Sequence, residues 1–200
     1  MLSKLILIPS DVHAQVHAPD LLDGLSKIGL IGKAFQLQDS MHYQVGEQFL
    51  EQVIFLGCSP YIALQASEVV SGENVDKGEG YCHVCIRQTD ELHWMLSSDA
   101  VEARCCRCRA STPFHLPEIT LDLPSVCPAC KQALGWNDWD LRKKGGIGRT
   151  FIEIWGIHPH EAVPAESLLA GLANCSKVNW RYFYSYGKEF VGRIIDERKG

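Results

Sequence analysis

The 200 residues of this chain suffice for one large domain, or for one domain that carries a small insertion. A hydrophobic content of 46% and a charged content of 22% are typical of a globular protein with a real core, and the net charge of −5 argues against a surface that is basic overall. The apolar run before Pro9 is too short for a secretory signal, and no apolar run reaches the length of a membrane-spanning helix. We therefore predict a cytoplasmic protein with no membrane partner.

Short apolar runs rich in strand-forming residues mark the first half of the chain. They predict strands over residues 5–8, 49–56, 61–64 and 81–87. Pro19, followed by leucines at helical spacing, predicts a helix that ends at Gly29. Residues 33–48 have a mixed composition that predicts a loop, and residues 71–80 are charged and glycine-rich, which predicts an exposed turn.

The last third of the chain shows a similar order of elements. Residues 151–155 and 178–184 are predicted strands, and leucines after Pro164 predict a helix between them. The charged tail is predicted to be frayed or to form a short helix.

A shift of 147 residues places the first predicted helix on the last. Seven of the thirteen positions from His13 to Leu25 are then identical, which predicts an internal repeat. Two such strand–loop–helix–strand units predict an α+β fold, a pseudo-repeated β-α-β core with extra strands and with its helices on one face. This arrangement resembles the ferredoxin-like architecture. The alternative is that leucine-rich amphipathic helices look alike without being repeats.

The segment from Cys105 to Cys130 carries the most specific motif in the chain. Cys105 and Cys108 form one C-x-x-C pair, and Cys127 and Cys130 form a second pair eighteen residues later. This spacing is typical of a structural Zn²⁺ site, in which two tight turns supply four thiolates to a tetrahedral ion. Over about residues 103–132 the segment resembles the zinc-ribbon class of modules. The resulting division is 1–98 for the first half of the core, 99–149 for the zinc-ribbon insertion and 150–200 for the second half.

Nine cysteines, an odd number that includes C-x-x-C pairs, favour metal binding over a disulfide framework. Cys82 and Cys85 invite a rival zinc assignment, with His83 or Cys106 as a further ligand. Their segment has strand character, and alternation along a strand would point Cys82 and Cys85 to opposite faces. We predict that they lie outside the zinc site, and whether either of them or Cys106 joins a metal site stays open.

Histidines follow the leading strand of each predicted half. If these two strands lie adjacent and parallel in the sheet, the loops that hold His13 and His160 become neighbours. The candidate second ligand site consists of His13, His158, His160 and Glu161. Imidazoles beside a carboxylate bind a metal or transfer protons near neutral pH. The alternative is that each histidine hydrogen-bonds within its own loop.

Basic residues concentrate in the predicted zinc lobe. Residues 99–149 hold eight Lys/Arg against six Asp/Glu, whereas the rest of the chain holds eleven against eighteen. The candidate contacts to nucleic acid are Arg107, Arg109, Arg142, Lys143 and Lys144. The alternative is that these cations offset the charge of a four-thiolate zinc site.

Three functional hypotheses follow from these motifs. The preferred one is a zinc-containing binding or adaptor protein that recognises a protein partner and is not an enzyme, because four sulfur ligands leave the ion no open position. The first alternative is a nucleic-acid-binding accessory protein that uses the basic edge of the lobe. The second alternative is an enzyme or metal sensor built at the histidine loops.

Overall fold

The computed structural model describes residues 3–57, 62–69, 75–97, 100–115, 126–187 and 190–194. The helices of these ranges are α1 (Ala18–Lys27), α2 (Phe49–Gln52) and α3 (Glu166–Ser176). The strands of the same ranges are β1 (Ser3–Pro9), β2 (Ile31–Leu37), β3 (Ser40–Val45), β4 (Val53–Phe55), β5 (His83–Leu96), β6 (Ala100–Cys105), β7 (Ser111–His115), β8 (Trp139–Asp140), β9 (Gly145–Trp155), β10 (Ala162–Pro164), β11 (Trp180–Tyr186) and β12 (Phe190–Arg193). The fold is therefore of the α+β class, with most of its elements strands.

A seven-stranded sheet forms the centre of the fold. Its order is β11-β1-β9-β5-β3-β2, and β12 pairs with the second half of β5. Every neighbouring pair in this sheet is antiparallel. β1 lies between β11 and β9 and is buried along its whole length, as its continuous apolar run predicts.

Two helices, α1 and α3, pack against each other over one face of the sheet. Pro19 stands in the first turn of α1, where its fixed φ suits a helix, and Gly29 follows the helix with a φ of +67°. The apolar residues of this face form one buried cluster, which includes Leu5, Leu7, Leu21, Leu25, Ile152, Ile154, Leu168 and Leu172. Because side chains alternate along a strand, Ile6, Ile8 and Phe151 lie in a separate cluster on the opposite face.

The leading strands of the two predicted halves, β1 and β9, are neighbours but antiparallel. Leu5 lies opposite Ile154, and Leu7 lies opposite Ile152. The expectation that these strands are parallel is wrong, and the ferredoxin-like architecture is not confirmed. Instead, β5 runs parallel to β1 with β9 between them, and β11 runs parallel to β9 with β1 between them. Each parallel pair therefore comes from one predicted half of the chain, and the strand between its two members comes from the other half.

Two contacts between α1 and α3 are related by the shift of 147 residues. A Cβ atom on Gly24 would lie 2.7 Å from Sγ of Cys175, and a Cβ atom on Gly171 would lie 3.1 Å from Cγ2 of Ile28. Gly171 is the shifted counterpart of Gly24, and Cys175 is that of Ile28. The two glycines therefore allow the close approach of the helices in equivalent ways. The internal repeat remains a prediction, which these paired contacts favour.

The region predicted to be a loop at residues 33–48 is mostly the β2–β3 hairpin. This hairpin lies at an edge of the sheet and exposes much of its surface, so it needs few apolar residues. The predicted strand at 49–56 begins instead as the short helix α2 and becomes β4 at Val53.

Other local predictions fall partly outside the described residues. Residues 62–64 are not strand, and Tyr61 lies outside the described ranges. Of the predicted turn at 71–80, residues 75–80 are described and contain a short 3-10 helix. In the tail, residues 190–193 form β12, and residues 195–200, where most of the predicted charged end lies, are outside the described ranges.

β5 and β9 form one long hairpin, and the cysteine-rich segment is its loop. The register of the hairpin runs from His83 opposite Trp155 to Leu96 opposite Gly145. Between Leu96 and Gly145 the chain forms a separate three-stranded sheet of order β7-β6-β8. The predicted insertion at 99–149 thus includes the first residues of β9, and the division into three parts remains a prediction.

Candidate metal centre

The first C-x-x-C pair lies on a tight turn at the tip of the β6–β7 hairpin. The N–H of Arg109 donates to the carbonyl of Cys105 over 2.9 Å, and the N–H of Cys105 donates to the carbonyl of Ala110 over 3.0 Å. Arg109 closes the turn in the left-handed conformation, with a φ of +66°. The N–H of Arg107 donates to Sγ of Cys105 over 3.4 Å, which holds this sulfur on the inner side of the turn.

The second C-x-x-C pair repeats this backbone geometry. The N–H of Lys131 donates to the carbonyl of Cys127 over 2.9 Å, and the N–H of Cys127 donates to the carbonyl of Gln132 over 2.9 Å. Lys131 has a φ of +58°, and the N–H of Cys130 donates to Sγ of Cys127 over 3.5 Å. This last hydrogen bond is the largest of several that together lower the pKa of the Cys127 thiol to about 6, which favours the thiolate that binds metal.

The two turns bring four sulfur atoms together. Sγ of Cys105 lies 4.0 Å from Sγ of Cys130, and Sγ of Cys108 lies 3.7 Å from Sγ of Cys127. All four sulfur atoms lie within 4.8 Å of one another. A tetrahedral zinc ion with Zn–S bonds of about 2.3 Å separates its sulfurs by about 3.8 Å. The spacing of these free thiols therefore fits a tetrahedral metal ion.

The metal site is continuous with the core of the protein. Cys105 and Cys127 are fully buried, whereas Cys108 is exposed. The buried pair belongs to an apolar cluster that draws on both the lobe and the main sheet. Its other members are Val12, Leu92, Trp94, Leu96, Ala103, Leu134, Trp139, Leu141, Ile147 and Ile194.

Polar contacts fasten the lobe to the loop that follows β1. The Asn137 side chain accepts a hydrogen bond from the N–H of Val12 over 2.9 Å and donates one to Asp11 over 3.0 Å. The lobe is thus attached to the end of the sheet by apolar packing and by side-chain hydrogen bonds.

Cys82, Cys85 and Cys106, whose part in a metal site the sequence left open, lie outside the group of four sulfur atoms. Cys106 is exposed and donates to Asp138 over 3.2 Å. Cys82 packs in the cluster under the helices, whereas Cys85 lies on the other face, opposite Glu153 and His42 in the neighbouring strands. Among the described residues, only the four cysteines place three or more ligand atoms this close together.

The predicted nucleic-acid contacts fall into two groups. Arg107 and Arg109 lie on the first cysteine turn, where Arg107 pairs with Asp138 over 3.4 Å. Residues 142–144 form a short 3-10 helix beside β11. There Nζ of Lys143 donates to the carbonyl of Tyr182 over 3.2 Å and lies 3.1 Å from the centre of the Tyr182 ring.

The predicted joint histidine site does not form. Because β1 and β9 are antiparallel, the loop of His13 leaves one end of the sheet and the loop of His160 leaves the other. Five residues of β1 separate these ends, or about 17 Å. His158, His160 and Glu161 share one loop, in which the N–H of His158 donates to Glu161 over 2.9 Å. The prediction that His13 joins them is wrong, because it depended on a parallel pair of strands.

A buried ionic group that no sequence motif predicted lies on the sheet face opposite the helices. Glu153 is fully buried and pairs with Lys4 and Arg87, each over 2.8 Å. Lys4 is also buried, whereas Arg87 reaches solvent. Removing one partner of a buried ion pair leaves the other without compensation, so both cations stabilise the native state while Glu153 is present.

Two buried histidines lie beside this ionic group. The ring of His83 lies 4.9 Å from that of His42, 4.7 Å from that of Tyr81 and 5.0 Å from that of Trp155. Both ring nitrogens of His83 are buried, and neither meets the geometric criteria for a hydrogen bond to any residue in the described ranges. Burial lowers the pKa of His83 to about 3. The one signal for this cluster in the sequence is the alternation of polar and apolar side chains over residues 83–87. It identifies the cluster only when the order of the strands, and hence the neighbours of the polar face, is known.

Replacing Lys4 by methionine is expected to lower the free energy of unfolding by about 2 kcal/mol, since Glu153 would stay buried with Arg87 as its remaining partner. Urea unfolding at pH 7 measures the change. Lys27→Met is the matched control, because Lys27 pairs with Asp23 at the surface and such pairs add little stability. Equal effects of the two substitutions would contradict the importance of the buried group.

No protein-family model matches this chain, and neither a curated protein nor a solved structure matches it. In the described ranges, no helix has both the length and the apolar character needed to cross a membrane.

Proposed function

We propose that this chain is a zinc-containing binding or adaptor protein in which Zn²⁺ has a structural role. The observation that carries the proposal is the set of four sulfur atoms within 4.8 Å of one another. Thiolates are the ligands that Zn²⁺ prefers in structural sites, whereas catalytic zinc sites keep one position for water or substrate. Four sulfurs fill the tetrahedral shell, so the ion contributes to folding and not to catalysis.

The burial of the ligands supports a structural role. Cys105 and Cys127 share an apolar cluster with Trp94 of β5 and Ile147 of β9. A metal ion held by these cysteines would therefore fix the lobe against the main sheet. The proposed result is a rigid surface for a protein partner, in a cytoplasmic setting where thiols remain reduced.

Metal content and cobalt substitution test this proposal. Elemental analysis of the purified protein is expected to give one zinc per chain, and the Co²⁺-substituted protein is expected to show the absorption of a tetrahedral tetrathiolate site. Added azide should leave that spectrum unchanged, because no coordination position is open. A protein without stoichiometric metal, or a spectrum that changes with azide, would refute the structural assignment.

Nucleic-acid binding is the second candidate. It is favoured by one observation, the basic 3-10 helix at residues 142–144 that lies beside Arg181 of the edge strand β11. The third hypothesis, an enzyme or metal sensor at the histidine loops, is not proposed, because the antiparallel pairing of β1 and β9 separates those loops.

A further inference from the structure

Asp140 has three cationic residues as neighbours where the lobe meets the edge of the main sheet. Arg104 of β6 lies directly opposite Asp140 of β8, so their side chains project from the same face of that strand pair. Burial lowers the pKa of Lys143 and of Arg181, and the charge of Asp140 acts on both in the opposite direction. We call Arg104, Lys143 and Arg181 the cationic cluster.

The carboxylate does not neutralise the cationic cluster. Oδ1 of Asp140 accepts a hydrogen bond from the N–H of Arg142 over 2.7 Å. Within the described residues, no ion pair joins Asp140 to any of the three cations. Three positive charges therefore face a single negative charge in a partly buried position.

Two donors of the cationic cluster are buried and find no acceptor among the residues that the structure describes. Nε of Arg104 and Nε of Arg181 are both shielded from solvent, and neither has a hydrogen-bond partner in those ranges. A buried donor with no acceptor destabilises the folded state, so an acceptor in this position is favoured. The guanidinium group presents Nε–H and Nη–H side by side, which matches two oxygens of one oxyanion.

We propose that Arg104, Lys143 and Arg181 bind an oxyanion of the phosphate class, presented by a phosphodiester backbone or by a free phosphate. The two arginines would each donate to the oxyanion, and the ammonium of Lys143 has donors beyond the one bound to Tyr182. The exposed residues Arg142 and Lys144 would extend the positive charge beside this site. The proposed oxyanion site contains none of the four cysteines. A failure to bind phosphate would therefore leave the proposed zinc site untouched.

Arg181→Gln tests the site, because this position lies on the main sheet and not beside a cysteine. Binding of inorganic phosphate is measured by calorimetry, and binding of labelled single-stranded DNA and RNA 12-mers by fluorescence anisotropy at low and moderate salt. We expect Arg181→Gln to lower the affinity for the bound ligand about ten-fold or more, since it removes a charge-assisted hydrogen bond. Arg181→Lys, which keeps the charge and loses the planar fork, should weaken it less but measurably.

Lys33→Gln is the matched control. It removes one positive charge from an exposed position of β2, at the opposite edge of the main sheet from β11, and should change affinity less than two-fold. Zinc content and thermal stability, measured on every variant, separate loss of the site from loss of the fold. Phosphate binding without oligonucleotide binding supports a free phosphate, and salt-dependent oligonucleotide binding supports a phosphodiester. Failure of the parent protein to bind either ligand, or an equal loss in Lys33→Gln, would overturn the proposal.

Discussion

A Cys127→Ser variant is expected to bind no zinc and to lose about 5 kcal/mol or more of stability, comparable with the whole stability of many domains. Cys127 is fully buried and shares its cluster with Trp94 and Trp139. Removing the ion would leave three thiols that repel one another when ionised, and it would remove the metal–sulfur bonds that join the two cysteine turns beside the apolar cluster. The loss should therefore extend beyond the lobe to the end of the main sheet.

Elemental analysis and tryptophan fluorescence in urea measure this effect. Cys106→Ser is the matched control, because Cys106 neighbours a ligand in sequence but is exposed and bound to Asp138. Zinc content and stability should stay near the parent values in the control. A strong chelator should reproduce the Cys127→Ser result in the parent protein. One zinc per chain in Cys127→Ser would show that this ligand is wrongly assigned.

Acid is expected to destabilise the protein through His83. The folded-state pKa of about 3 lies below the ordinary histidine value of about 6.5. Between these two pH values the unfolded chain therefore binds a proton that the native state does not bind. This contribution to stability is present above pH 6.5 and is lost as the pH falls toward 3. Each pH unit removes about 1.4 kcal/mol, which gives a total loss of about 4 kcal/mol by pH 3.5.

His83→Phe tests this expectation, because phenylalanine keeps a ring among Phe35, His42, Tyr81 and Trp155 but carries no titratable group. Urea unfolding between pH 7 and 4.5 should show a slope reduced by at least half relative to the parent. Burial also lowers the pKa of the neighbouring His42, so part of the slope should remain.

Tyr81→Phe is the control for packing within the same cluster and should keep the parent slope. Protonation of the cysteine ligands at low pH affects all three proteins, so it cancels in the comparison. A His83→Phe variant with the parent pH dependence would show that the imidazole is not the acid-sensitive group.

The cysteine site could be predicted because its information is local. Each C-x-x-C pair makes its own turn, and the two turns need only to meet around one ion. The direction of β9 relative to β1 could not be predicted in this way. It depends on where β5 and β11 enter the sheet, and the repeat of loop and helix says nothing about that.

The cluster of buried histidines shows a second feature that the sequence alone does not predict. His42 and His83 come from different strands, and neither belongs to a motif. Their contact follows from the register that places Gln44 opposite His83 and His42 opposite Cys85. The sequence of the β2–β3 hairpin, which supplies His42, predicts a loop, because an exposed edge carries too few apolar residues to show a strand pattern.

The narrow junction between the lobe and the main sheet has a consequence for variation in chain length. Leu96 and Gly145 are paired across the β5–β9 hairpin, and the N–H of Ser97 still donates to the carbonyl of Lys144 over 2.9 Å. Paired Cα atoms in antiparallel strands are about 5 Å apart, the span that an ordinary two-residue turn closes. A module that enters and leaves through such a junction can be exchanged for a short turn without shifting the register of either strand. Chains with the same strand register can therefore differ in length at this one position, if the apolar residues that the sheet shares with the lobe, such as Trp94 and Ile147, change as well.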